Sequence, residues 1–167
     1  MSTREHKKQA PKHVSIGIIT VSTTRALADD KSGHWIREQV TKEGHEIVYH
    51  QVIPDDAERI SSTVQTVIQE KEPQVLLMTG GTGITKKDVT IEAVSPMFSK
   101  VLTAFGSLFA QLSTEEIGSA AVLSRATAGL IGNTIVFCMP GSLHACKLAC
   151  TELIFPELGH LVKHLQD

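Results

Sequence analysis

The chain has no run of about 20 apolar residues, the length a helix needs to cross a bilayer. Its 41% hydrophobic and 20% charged residues are instead the proportions of a soluble folded protein. It also lacks a surplus of positive charge. Sixteen Lys and Arg against eighteen Asp and Glu leave a formal net charge of −2. Sequence-independent nucleic-acid binding, which requires many cations facing phosphates, is therefore not expected, and any bound phosphate must be held by local groups. Cysteine is scarce, with only Cys138, Cys146 and Cys150 and no CxxC pair. An odd count without pairing excludes a disulfide framework and points to a reducing cytoplasm. Cys146 and Cys150 share a helix face and read as buried thiols. His160 and His164 have the same spacing without a third ligand nearby, and read as surface groups of a terminal helix. Internal repeats and low-complexity linkers are absent, and 167 residues suffice for one well-buried core but not for two ordinary domains. The basic opening, residues 1–13, has no apolar segment behind it. It is expected to be a loose arm rather than a signal peptide or anchor, ahead of a single domain over 14–167.

What is present is an alternation of apolar strands and amphipathic helices. "HVSIGIITVS" (13–22) is rich in Val and Ile and reads as a buried strand. A helical pattern with Trp35, Ile36 and Val40 on one side follows and ends at Gly44. "EIVYHQVI" (46–53) is a second strand. Ile60, Val64, Val67 and Ile68 then recur at helical spacing before Pro73, and "QVLLMT" (74–79) is a third strand, apolar enough for the middle of a sheet. Further helical stretches run from about Thr90 to Phe98 and from about Phe105 to Leu112. "AAVLSRATAGLIGNTIVFCMP" reads as two strands joined at Gly132 and Asn133, leading into a helix that opens with "PGS". Strand, helix, strand, helix, strand implies parallel pairing. The fold class is α/β: a doubly wound, mostly parallel sheet with helices on both faces and a small β-hairpin element.

In such a sheet, ligands bind at the carboxyl ends of the strands. Four exits carry polar or glycine-rich sequence there: "STTR" (22–25), "PDD" (54–56), "TGGTGITKKD" (79–88) and "PGS" (140–142). The third is longer than the two to six residues that a strand-to-helix loop usually takes. Glycines at 80, 81 and 83 let backbone N–H groups approach an anion closely, and Lys86 and Lys87 add charge. Neither a Walker A loop nor a dinucleotide fingerprint fits, because Thr85 and Lys86 stand where those motifs need glycine or alanine. Two acids accompany the loop. Asp55 and Glu58 have the spacing of a capping box, and Asp88 stands where it could cap the next helix. Two carboxylates beside a phosphate-type loop also suit Mg²⁺, which binds through one or two carboxylates plus substrate phosphates.

"TGGTGITKKDVTIEAV", "IGSAAVLSRATAG", "MPGSLHACKLA" and "VIPDD", in their order and spacing, resemble the MoaB/Mog family of molybdenum cofactor biosynthesis proteins, related to the G domain of gephyrin. The likeness runs from about Val14 to Leu165. It implies a trimer or hexamer and adenylyl transfer to molybdopterin, with ATP as co-substrate, Mg²⁺ as cofactor and pyrophosphate as product. The family's two acidic positions, assigned to catalysis and metal binding, fall on Asp55 and Asp88. Its binding loops fall on Thr79, Gly80, Gly81, Thr82 and Gly83 with Lys86 and Lys87, and on Pro140, Gly141 and Ser142. The chain departs from patterns common among relatives at Thr23, Lys87, Ser107 and Ala110. A noncatalytic molybdopterin- or nucleotide-binding member of the same family is the alternative those departures leave open. The segment from Ser95 to Leu112 carries more apolar positions than one helix face needs, and part of it is expected to contact another subunit.

Overall fold

The structure, a computed structural model, describes residues 11–166, so residues 1–10 of the expected arm lie outside it. Strand β1 (Ser15–Val21) leads to helix α1 (Lys31–Lys42), β2 (Glu46–Ile53), α2 (Ala57–Lys71) and β3 (Val75–Thr79). After the glycine loop come α3 (Thr90–Val94), a two-residue strand β4 (Lys100–Val101) and α4 (Thr103–Ile117). The hairpin β5 (Thr127–Ile131) and β6 (Thr134–Met139) precedes α5 (Leu143–Ala149) and α6 (Leu158–Gln166). Between the last two helices the chain stays helical through a wide π turn at Cys150–Ile154 and a tight turn at Phe155–Glu157.

Each element has a local cause. Asp30 caps α1 by accepting the Gly33 amide hydrogen, and Asp56 caps α2 by accepting that of Arg59. Helix α2 ends at Glu72, whose left-handed φ of 46° stops the helix just before Pro73. The central strands alternate their side chains between two cores, as the period of two requires. Ile16, Ile18, Val75, Leu77, Ile135 and Phe137 face α1, α4, α5 and α6. Ile19, Val21, Leu76, Met78 and Val136 face Ile60, Val64 and Val67 of α2 and Val94 of α3.

The sheet order is β2-β1-β3-β6-β5-β4. The first three neighbouring pairs are parallel, whereas β6–β5 and β5–β4 are antiparallel. From β1 the chain moves outward to β2 and then returns to the other side of β1 as β3, so the order reverses there. That reversal opens a crevice beyond the ends of β1 and β3. One sequence expectation is corrected: the stretch Gly118–Leu123 is a 3₁₀ helix, and the first hairpin strand begins only at Thr127. Its apolar run does not alternate between buried and exposed sides, and Val122 is 85% exposed.

Candidate active site at the strand exits

All four polar exits meet in one cleft of about 460 Å³. Ser22 and Arg25 enter it from β1, Asp55 from β2, Gly80 to Gly83 and Asp88 from β3, and Pro140 to Ser142 from β6. The opposite wall comes from α4, its following turn and α5: Phe109, Ser113, Glu116, Ile117, Leu123 and Leu148, with His144 at the rim.

The glycine loop is pinned by its carbonyls. Thr90 donates from Oγ1 to the Gly80 carbonyl at 2.8 Å and from its amide to that of Gly81 at 2.9 Å. Arg125 donates from Nη1 to the Gly83 carbonyl at 2.9 Å while its other guanidinium nitrogen pairs with Glu92. The Gly80 amide is used as well, donating to the Met139 carbonyl at 3.0 Å. Among the described residues no acceptor meets the amides of Gly81 and Thr82, both of which line the cleft. Gly80 and Gly81 have φ of 96° and 64°. A Cβ at Gly80 would collide with the Val21 carbonyl, and one at Gly81 with Thr90 Oγ1, so both positions require glycine. Thr79 lies beneath the cleft, fully buried, and donates from Oγ1 to the Pro140 carbonyl at 3.0 Å. It thereby ties the β3 exit to the β6 exit. Ser142 lines the cleft and caps α5, accepting the Ala145 amide hydrogen at 3.1 Å. Lys86 and Lys87 are exposed and stand outside the cleft wall.

Neither acid is a helix cap. Helix α2 is capped by Asp56, and Val89 precedes α3 without any side-chain cap. Asp55 Oδ2 accepts the Thr23 amide at 2.7 Å and the Thr23 hydroxyl at 2.8 Å. Among the described residues its Oδ1 receives no donor, and it lies 3.3 Å from where a Cβ of Gly81 would stand. Asp88 Oδ2 accepts the Thr85 amide at 2.9 Å and the Thr85 hydroxyl at 2.7 Å. The Thr85 hydroxyl, opposed by partial burial and helped by the Thr85 and Gly83 amides and the Arg125 charge, holds its carboxyl below the usual carboxylate range.

Several lining groups escaped the sequence: Phe109, Ser113, Glu116, His144 and Leu148. Phe109, Ser113 and Glu116 recur at helical spacing on α4, so a single face carries them. The pattern was readable for Phe109, but the helix was expected to stop at Leu112. Glu116 Oε2 and His144 Nε2 meet across the cleft rim, joining α4 to α5. Thr23 supplies two donors to Asp55, where an acidic side chain would oppose it. Ser107 and Ala110 do not line the cleft at all. Below the site lies the fully buried Asp30, 2.5 Å from Thr20 Oγ1 and 3.5 Å from His50 Nε2. Burial pushes its carboxyl up, but the His50 imidazole, the Thr20 hydroxyl and the Gly33 amide outweigh that and hold it below the usual range.

A crevice at a sheet reversal, floored by a pinned glycine loop and flanked by two carboxylates, lies where doubly wound α/β domains bind their ligands. A family model described as "Probable molybdopterin binding domain" matches residues 17–160, and the chain belongs to that family. It is 48% identical over 166 residues to the "Molybdenum cofactor biosynthesis protein B" of Bacillus cereus, covering 99% of this chain and 98% of that one. It is 43% identical over 173 residues to the "Molybdopterin adenylyltransferase" of Pyrococcus furiosus, covering all of both chains. A crystal structure of a molybdenum cofactor biosynthesis protein B superposes with a TM-score of 0.90 at 46% identity, over 95% of this chain and 99% of that one.

Proposed function

We propose that the protein, as a single domain over 14–167, adenylylates molybdopterin with ATP during molybdenum cofactor biosynthesis. A terminal phosphate oxygen of molybdopterin forms the new bond to the α-phosphorus of ATP. The bond from that phosphorus to the bridging oxygen breaks, and pyrophosphate leaves. The observation that carries this reading is the pinned loop: its carbonyls are held by Thr90 and Arg125, while the amides of the cleft-lining residues Gly81 and Thr82 meet no acceptor among the described residues. Such fixed donors stabilise phosphate charge without reorganising during the reaction. Ser142 adds a hydroxyl at the opposite loop, and the apolar wall of Phe109, Ile117 and Leu148 suits a flat ring system.

The donor set fits Mg²⁺. Among the described residues Asp55 offers an oxygen with no protein donor, the carboxyl of Asp88 is held below the usual range, and both line the cleft. Among the described residues no group of three or more His, Cys, Asp or Glu is placed to hold an ion. Two carboxylates completed by substrate phosphates and water match how Mg²⁺ is usually bound. When bound, the ion would be held by Asp55 and Asp88 and would offset phosphate charge. The cleft carries Asp55, Asp88 and Glu116 against one guanidinium, so a polyphosphate is repelled unless a cation enters with it.

Thermal melting tests nucleotide binding ahead of chemistry. A ligand at about a hundred times its Kd stabilises the native state by about 2.7 kcal/mol, roughly 5 to 10 °C for a domain of this size. Mg-ATP is expected to raise the midpoint by that amount, and EDTA to abolish the rise. Incubation with molybdopterin and Mg-ATP is then expected to yield adenylylated pterin. If molybdopterin shifts the midpoint and ATP does not, the protein is a pterin binder and not an adenylyltransferase. Placement of Ser107 and Ala110 away from the cleft favours the enzyme, since neither departure touches the chemistry.

A further inference from the structure

Of the Lys and Arg side chains among the described residues, Arg25 alone lines the cleft. The other candidate cations are spoken for or displaced. Arg125 is committed to the Gly83 carbonyl and to Glu92, His144 is paired with Glu116, and Lys86 and Lys87 stand outside the wall. Arg25 itself is exposed and makes one long side-chain hydrogen bond, from Nη1 to the Gly141 carbonyl at 3.3 Å. Its backbone amide donates a hydrogen bond to Ser22 Oγ at 3.2 Å, so the guanidinium is anchored between the β1 exit and the Pro140–Ser142 loop. A guanidinium has five donors in a planar fork suited to phosphate, and four of these five have no partner here among the described residues. We infer that Arg25 is the residue whose side chain binds a substrate phosphate directly, rather than the lysines of the glycine loop. Because the same guanidinium touches Gly141, phosphate on Arg25 also holds the loop that carries Ser142.

The inference rests on the proposed reaction only for its kinetic arm. In adenylyl-transfer assays, Arg25→Ala is expected to raise KM for a phosphate-bearing substrate by about ten- to a hundredfold, the range for losing a charged hydrogen bond. Arg25→Lys is expected to recover part of it, retaining charge without the fork. Lys86→Ala and Lys87→Ala are expected to change KM less than Arg25→Ala does. A rise confined to Mg-ATP assigns the guanidinium to the nucleotide; one confined to molybdopterin assigns it to the pterin's phosphate. Because Arg25 is exposed, Arg25→Ala should melt with the wild type in the absence of ligand. Pyrophosphate titrated with Mg²⁺ by thermal shift tests the residue without any reaction: wild type is stabilised and Arg25→Ala is not. If the wild type transfers nothing yet binds pyrophosphate through Arg25, the enzyme assignment fails and the inference stands. If Arg25→Ala binds pyrophosphate as tightly as wild type, the inference is wrong whatever the enzyme does.

Discussion

At Asp88 the carboxylate satisfies its own loop, through Thr85, and no helix end depends on it. Asp88→Asn keeps an oxygen for the Thr85 donors, so the melting temperature is expected to move by only a few degrees. Loss of the negative charge is expected to remove adenylyl transfer; a wild-type rate in this variant would take Asp88 out of the metal site. Asp30 is the contrasting acid, with no surface and a structural task. Asp30→Ala leaves the Gly33 amide and the buried Thr20 hydroxyl without their acceptor and is expected to cost about 3 kcal/mol in urea unfolding at pH 7. Its folded pKa is depressed. The stabilisation is therefore fully present above the ordinary carboxylate pKa near 4 and fades as pH falls through the lower folded value. The gap between wild type and variant should narrow in urea melts below about pH 4. The sequence placed Asp55 and Asp88 at neighbouring strand exits beside the glycine loop, and both line the cleft. Their rival assignment as caps was not resolvable, because Asp55 and Asp56 are adjacent and only backbone geometry selects Asp56.

On the scale of elements, the glycine loop works because each of its parts is held from a different direction: Thr90 from α3, Arg125 from the segment before β5, and Met139 from β6. Gly81→Ala places a methyl against Thr90 Oγ1 in a backbone conformation with φ of 64°. It is expected to destabilise by about 1 to 3 kcal/mol. It should also abolish the Mg-ATP midpoint shift, because the displaced methyl lies beside Asp55 Oδ1. A variant that retains the shift would show that the loop backbone does not touch the nucleotide. The length of this loop was readable from excess residues between β3 and α3. Helix α4 was not readable to its end: Ser113, Thr114, Glu115 and Glu116 look like the start of a loop. Only the packing of Phe109 and Ser113 into the structure keeps the helix going. The cleft wall was lost from the sequence for that reason.

For the molecule as a whole, parallel pairing was legible in the alternation of strands and helices, whereas the strand order and its reversal beside β1 come from the structure. Surface was harder, since an apolar side chain in sequence does not say which neighbour covers it. Of the apolar surplus between Ser95 and Leu112, the fold itself takes Met97, Phe98, Leu102, Phe105 and Phe109 into its two cores. Val101 on β4 and Leu108 on α4 remain 53% and 47% exposed. Beyond α4, Val122 is 85% exposed. Closed symmetric assembly, the trimer or hexamer proposed here, would cover such side chains. Light scattering at micromolar concentration is expected to give a mass of three or six chains. Leu108→Glu introduces a charge on that face without entering the core, so it is expected to lower the mass towards the monomer while leaving the circular dichroism spectrum unchanged. If the wild type has the monomer mass, assembly through this face is wrong. If the oligomer survives Leu108→Glu intact, the subunits meet elsewhere and Leu108 is merely exposed.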